Sequence, residues 1–201
     1  MIFEPLAYES RKIDPDMSHH RSEFSGIEES WIYSGIQGKK YNFRASRFDG
    51  PIVRSVIEPG LFRKSKFNDK ILDIELNGSE LVGSKFIGSI EHSELEYCDS
   101  RGIVANGISM RNNSFYKSNL FKAKLNGSDL SGSDLSKTNL EMAELRHSNI
   151  SNVELEEVEN LTNAIFYHTK VDQETYEVIW KIFSKRGLLL NTSTQDYFDI
   201  I

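Results

Sequence analysis

The chain has one cysteine in 201 residues, Cys98. It can therefore form no internal disulfide, and it offers no sign of secretion. Proline occurs 4 times and glycine 13 times, which excludes collagen-like and proline-rich chains. No apolar run reaches about 18 residues, so no membrane span is expected. The opening MIFEPLAYESRK lacks the basic-then-apolar order of a signal peptide. A soluble, cytoplasmic protein of one domain is the expectation. Hydrophobic residues reach only 38%. That is lean for a thick globular core, but it suits a thin solenoid in which a narrow column of side chains is buried coil by coil.

The net charge of −6 is unevenly spread. Residues 39–72 carry 9 basic and 3 acidic groups, or +6, and residues 73–99 carry 1 and 7, or −6. A basic band beside an acidic band resembles neither a nucleic-acid binder nor a uniformly acidic surface. Direct DNA binding through the basic band is not expected, because acidic bands flank it.

The informative feature is a repeat. Residues 113–157 divide into NSFYK, SNLFK, AKLNG, SDLSG, SDLSK, TNLEM, AELRH, SNISN and VELEE. Every unit has a large apolar residue at its third place: Phe115, Leu120, Leu125, Leu130, Leu135, Leu140, Leu145, Ile150 and Leu155. The first place is mostly small, as at Ser118, Ala123, Ser128, Ser133, Thr138, Ala143 and Ser148. The second is usually polar, as at Asn119, Asp129, Asp134, Asn139 and Asn149. An α-helix would scatter such residues at steps of about 140°, leaving no apolar stripe. A flat strand would send alternate members to opposite faces. One geometry serves every unit: each five residues form one side of a square coil.

These units resemble the pentapeptide-repeat family, and SDLSG and SDLSK match its pattern closely. The resemblance implies an all-β fold, a right-handed quadrilateral parallel β-helix with inward first and third places. Four units make a coil, so positions 20 apart stack. Phe115, Leu135 and Leu155 then form one column; Leu120 and Leu140, Leu125 and Leu145, and Leu130 and Ile150 form the others. Lys124 is expected one coil from Glu144 as an exposed pair.

Weaker units extend the pattern towards the N-terminus. SELEY, CDSRG, IVANG and ISMRN keep the frame, but Ser100 and Ala105 replace large central residues. Cys98 falls at an inward place and reads as a packed thiol. IELNG, SELVG, SKFIG, SKFND, YNFRA and SRFDG fit well, and SGIQG and SEFSG fairly. Four-residue pieces at 61–64, 70–73 and 89–92, and one extra residue, Val158, suggest bulges or projecting turns. The division expected is an N-terminal cap or extension (1–21), a β-helix (22–171) and a C-terminal helix and tail (172–201). The β-helix would have about seven coils and a length of about 35 Å.

Stacked coils leave open backbone edges, so caps are required. Asp172 can N-cap a helix on which Tyr176, Ile179, Trp180 and Phe183 share a face. Leu188, Leu190 and a tail ending YFDII follow. This segment either lids the last coil or also forms a two-fold homodimer contact, the second option being raised by the family resemblance.

No catalytic, metal or cofactor site is legible. His19 and His20 are adjacent and share no face, and His147 and His168 fall at outward places. Asp129 and Asp134 point in different directions, and no phosphate-cradling loop or triad occurs. An enzyme is not expected. The resemblance implies a binding protein. Qnr-type members protect DNA gyrase and topoisomerase IV by imitating duplex DNA, although the basic band argues against that role. The alternatives are a regulatory or assembly scaffold for a protein partner unrelated to DNA, and a secreted bacterial effector.

Overall fold

The computed structural model describes residues 23–24, 27–28, 31–32, 41–57, 59–158, 160–161, 163–185 and 197–201. The expected N-terminal cap, His19, His20, SGIQG, Leu188 and Leu190 lie outside these residues.

The described chain winds into a right-handed four-sided parallel β-helix that ends in one α-helix, Gln173–Lys185. Most corners have the same cause, the exceptions being those at Gly50, Asp69 and Gly88, where the backbone does not turn left-handed. The fifth residue of a unit adopts a left-handed backbone, as at Lys117, Lys122, Lys137, Met142 and His147, with φ of 54–58°. The next unit's first N–H then closes the turn on the central carbonyl, as from Ser118 to Phe115 at 2.9 Å. A positive φ at the third residue of a four-residue turn is the type II arrangement. Between corners each side pairs with the sides above and below. Lys124 N–H donates to the Ile103 carbonyl and Leu125 N–H to the Glu144 carbonyl, both at 2.8 Å.

The four sides can be called faces I to IV in chain order. Their central residues stack into four buried columns. Face I has Ile57, Leu76, Leu95, Phe115, Leu135 and Leu155; face II has Phe43, Phe62, Leu81, Ser100, Leu120, Leu140 and Leu161. Face III has Phe48, Phe67, Phe86, Ala105, Leu125, Leu145 and Phe166; face IV has Ile52, Ile71, Ile90, Met110, Leu130, Ile150 and Val171. Leu125 and Leu145 are adjacent in their column and almost wholly buried.

From residue 41 onwards the irregular spacings of the described residues are absorbed at the corners. The first described step is long, 24 residues from Glu23 to Arg47 and 25 from Ile27 to Ile52, and the next coils repeat every 19, as from Arg47 to Lys66 and from Lys66 to Lys85. The short sides are 51–54, 70–73 and 89–92, which all fall on face IV, one per coil. Residues 61–64 are not a short piece, because Gly60 supplies the missing first place of that side. Middle coils repeat every 20 residues, as from Glu94 to Ser114. Val158 lengthens the last coil to 21, as from Asn139 to Asn160, and is itself buried. A corner therefore tolerates one residue more or less, provided the central residue keeps its column.

The core changes character along the axis. At its N-terminal end Phe48, Phe67 and Phe86 stack face to face, with centroids 4.8 and 4.7 Å apart. Beyond residue 113 leucine dominates. The change occurs at the coil with Ser100 and Ala105, where Ile103 and Ile108 occupy first places and are buried or half-buried. Large and small residues exchange places there, so the bore stays filled.

Candidate docking faces

The first places do more than save space. Ser65 Oγ donates to the Phe43 carbonyl at 2.6 Å, Ser133 Oγ to Met110 at 3.0 Å, and Thr138 Oγ1 to Phe115 at 3.0 Å. Each of these bonds ties one coil to the previous one at the point where a carbonyl would otherwise be half-satisfied. Cys98 occupies the same place. Its thiol lies 3.2 Å from the Leu76 carbonyl and its N–H donates to Ser118 Oγ at 2.9 Å. It is a buried substitute for serine. Ser100, at a central place, has a buried hydroxyl with no hydrogen-bond partner.

The second places face outwards, and their Asp and Asn side chains cap the turn that follows. Asp134 Oδ1 accepts from Ser136 N–H at 2.7 Å, Asn139 Oδ1 from Glu141 N–H at 3.0 Å and Asn149 Oδ1 from Ser151 N–H at 3.1 Å. This Asx geometry is why those residue types recur at that place. Asp129 and Asp134 thus serve separate turns on neighbouring sides.

Second-place residues also form straight ladders at the strand spacing of about 4.8 Å. On face I the rungs are Glu75, Glu94, Ser114, Asp134 and Glu154. On face III they are Arg47, Lys66, Lys85, Val104, Lys124, Glu144 and Ile165. Two corners separate these faces, so they lie on opposite sides of the rod. The rungs of face I are therefore largely acidic and those of face III largely basic, on opposite sides of the rod. Acidic groups on the remaining faces are largely neutralised. On face II, Glu80 binds Arg63 at 2.6 Å and Asp99 binds Arg101 at 2.7 Å. On face IV, Arg111 lies 3.8 Å from Glu91 and 4.0 Å from Asp129. The carboxylates of face I make no ion pair among the described residues. Lys124 stands one rung from Glu144, but that carboxylate takes Arg146 at 3.1 Å and Asn126 at 2.9 Å instead.

Beside the acidic ladder, at the corner between faces I and II, Tyr97 is 54% exposed. Lys117 lies over both Tyr97 and Tyr116, 5.3 and 5.1 Å from their ring centres.

At the C-terminal end Asp172 caps the helix, accepting from Thr175 N–H at 3.0 Å and Thr175 Oγ1 at 2.7 Å. Burial pushes its carboxyl up, but the hydrogen bonds from Asn152, Thr175 and its own backbone outweigh that and hold the pKa at about 2. The helix seats Thr175, Ile179 and Phe183 on the last coil, with Tyr176 half-buried. Trp180 does not join this lid. It is 44% exposed and stacks on Tyr176, 6.3 Å between centroids. The tail adds a strand, Phe198–Ile200, in parallel to Thr169–Val171. Phe198 packs on Phe166 at 5.3 Å, whereas Ile200 and Ile201 are exposed. His147 is exposed and His168 half-buried, and their rings stack at 5.7 Å; His168 Nδ1 also lies 3.3 Å from Asp199.

The rod offers little enclosed space. A groove of about 510 Å³ between the last coil and the helix is lined by Glu154, Glu156, Asp172, Glu174 and Val178, among others. Among the described residues no group of three or more metal-ligating side chains converges, and no helix is long and apolar enough to cross a membrane.

Residues 114–152 match the family model for pentapeptide repeats in 8 copies. Among solved structures, full-length QnrB1, a plasmid-mediated fluoroquinolone resistance protein, superposes with a TM-score of 0.68 at 17% identity. The match covers 87% of this chain and 95% of that one. A trypsin-treated QnrB1 variant matches with a TM-score of 0.68 at 16% identity, over 90% of this chain and 92% of that one. No curated protein matches the sequence significantly.

Proposed function

Taking the chain as a pentapeptide-repeat protein, we propose that it acts without catalysis, as a rigid rod whose face I docks on a cationic groove of a protein partner. The observation that carries this reading is the unpaired acidic ladder Glu75, Glu94, Asp134 and Glu154. Its rungs are fixed by backbone pairing, so binding costs little ordering entropy. A flat row of carboxylates resembles one edge of duplex DNA, and a groove built to bind DNA is its natural complement. DNA gyrase or topoisomerase IV is the concrete candidate, and the shared fold with the fluoroquinolone resistance protein QnrB1 supports that choice. The basic ladder does not oppose it, because it lies on the other side of the rod. Tyr97 beside the acidic ladder is a suitable anchor, since exposed tyrosines supply much of the binding energy at interfaces.

The test is gyrase supercoiling with and without a quinolone. Micromolar protein should restore supercoiling in the drug's presence. The variant Glu75→Lys/Glu94→Lys/Asp134→Lys/Glu154→Lys should not. No effect of the parent protein would leave a scaffold for an unrelated protein as the better reading.

The same proposal includes a homodimer through the C-terminal helix and tail. The exposed Trp180, Ile200 and Ile201 supply its apolar surface. Sedimentation of Trp180→Glu should give a monomer where the parent gives a dimer. An unchanged dimer would remove this part.

A further inference from the structure

We propose that face III is a second docking surface, one that binds the phosphate backbone of duplex nucleic acid. This goes beyond the reading of face I and does not depend on it.

Arg47, Lys66 and Lys85 occupy successive rungs, Val104 follows, and Lys124 is next. Like charges directly across a strand pair destabilise it by roughly 0.2–1 kcal/mol. The fold accepts that cost twice in succession, and no counter-charge offsets it at Lys66 or Lys85, whereas on face II the stacked acidic rungs Glu80 and Asp99 are each paired with an arginine. Among the described residues Lys66, Lys85 and Lys124 make no side-chain hydrogen bond or ion pair. Lys64, at the corner between faces II and III, is equally free. Arg47 is held by Asp49 at 2.6 Å, so it contributes less. The stretch ends where Glu144 takes the next rung.

Beside the row itself stand Asp49, which holds Arg47, and Glu144, which ends it. Glu75 and Glu94 stand on the opposite face. The row from Arg47 to Lys124 covers four coil steps, about 19 Å, or roughly half a turn of duplex. Its rungs are spaced regularly by backbone pairing, which suits a linear polyanion better than a shaped ligand. Its free cations are lysines, which act as point charges on flexible stems and do not fix one geometry. No aromatic ring sits on a rung between Arg47 and Lys124, so no platform exists there for unstacked bases, and duplex is favoured over single strand. Binding of this kind is sequence-independent, with Kd on the order of 10⁻⁴ to 10⁻⁶ M at physiological salt.

The test uses the full chain and a fluorescein-labelled 30-base-pair duplex of arbitrary sequence, read by anisotropy from about 50 to 200 mM salt. Micromolar binding at low salt is expected, with a log–log slope of about −3 to −4 for three or four phosphates neutralised. Lys66→Gln/Lys85→Gln/Lys124→Gln should weaken binding at least about tenfold and flatten the slope by about 2.7, or about 0.9 per lysine. Circular dichroism establishes that this variant is folded; if it is not, Lys85→Gln alone should flatten the slope by about 0.9. Neutralising face I with Glu75→Gln/Glu94→Gln/Asp134→Gln/Glu154→Gln should leave the slope unchanged. The proposal is overturned if the parent does not bind at 100 µM, or if the lysine variants bind as the parent does. Salt-sensitive self-association without DNA binding also overturns it, since the acidic face of a second copy would then be the occupant. A null result in the supercoiling assay bears on face I only, so the two readings fail separately.

Discussion

Phe67 offers the sharpest test of the stacked core. Its ring lies between Phe48, 4.8 Å away and 6° from parallel, and Phe86, 4.7 Å away and 5° from parallel. Phe62 meets it from the adjoining face at 5.9 Å. Replacing a buried phenylalanine by alanine costs about 3–5 kcal/mol, which includes the cavity left behind. Phe67→Leu is the more telling change. It keeps most of the apolar volume but removes both stacked neighbours, each worth about 0.5–1.5 kcal/mol beyond burial. The expected loss is therefore about 1–3 kcal/mol. At about 2–4 °C per kcal/mol for a chain of this size, the melting temperature should fall by about 2–12 °C. The location of the damage matters as much as its size. In a solenoid each coil contacts only its neighbours, so the perturbation should remain local. Hydrogen exchange should speed at amides of the coils within 41–90, while Leu125, Leu130 and Leu145 keep their protection. A Phe67→Leu protein melting within 1 °C of the parent would refute the stacking argument. Uniform acceleration along the chain would refute the nearest-neighbour one.

Three other outcomes follow from single positions. A Cβ on Gly88 would stand 2.3 Å from the carbonyl carbon and oxygen of Asp69, which are backbone and cannot swing aside. Gly88→Ala should cost about 1–3 kcal/mol, seen as a lower denaturation midpoint; an unchanged midpoint would mean the coils part freely there. Ser100→Ala removes a buried, unpartnered hydroxyl, so the midpoint should rise by the equivalent of about 1 kcal/mol, and a fall would show that the hydroxyl is satisfied after all. Asp172 has its pKa lowered from 3.8 to about 2. A carboxylate depressed by folding stabilises above its unfolded pKa and loses that contribution as pH falls through the folded value. Helix amides should lose exchange protection between about pH 4 and pH 2 in the parent, and Asp172→Asn should show no step in that window.

The sequence reveals the inward columns wherever a unit keeps all five residues. From Phe115 to Leu155 one spacing repeats without interruption, and the structure stacks those residues as neighbours. Before residue 93 the same columns exist but are harder to see, because every face IV side is one residue short. Pro51, Lys70 and Ser89 open four-residue sides, and an eye counting in fives meets a frameshift in each coil. The missing residue is a first place, where the fold needs least volume. Trp180 was equally opaque. Helical spacing puts it near Tyr176, Ile179 and Phe183, but only the orientation of the docked helix decides which of these meets the coil and which meets water. The ladders are the largest gap between sequence and structure. Their members are 19 to 21 residues apart, and neither local charge runs nor any short period brings Lys66 beside Lys85 or Asp134 beside Glu154.

That dependence on coil length allows the faces to be separated from the fold. Residues 98–117 make one whole coil, CDSRG, IVANG, ISMRN and NSFYK, whose rungs on faces I and III are the uncharged Ser114 and Val104. Deleting it removes four complete sides, so every later unit keeps its face. Lys124 should then follow Lys85 directly, and Asp134 should follow Glu94. Deleting only 103–107 removes one side. The inward pattern still closes, since each remaining unit presents an apolar or small residue to the bore, but everything beyond turns by one face. Lys124 moves to face II and Asp134 to face IV, and both ladders break. Both deletions should fold, with parallel-sheet circular dichroism and cooperative melting. Their charge readouts should differ. The coil deletion should keep the salt slope of duplex binding, and the single-unit deletion should lose about 0.9 of it with the displaced lysine. If the single-unit deletion, which keeps every charged residue, binds as the parent does, then net charge is being recognised and not the order of rungs along a face. If the single-unit deletion fails to fold, then the units are not interchangeable sides, and the side 103–107 or its corners hold information that the repeat pattern does not contain.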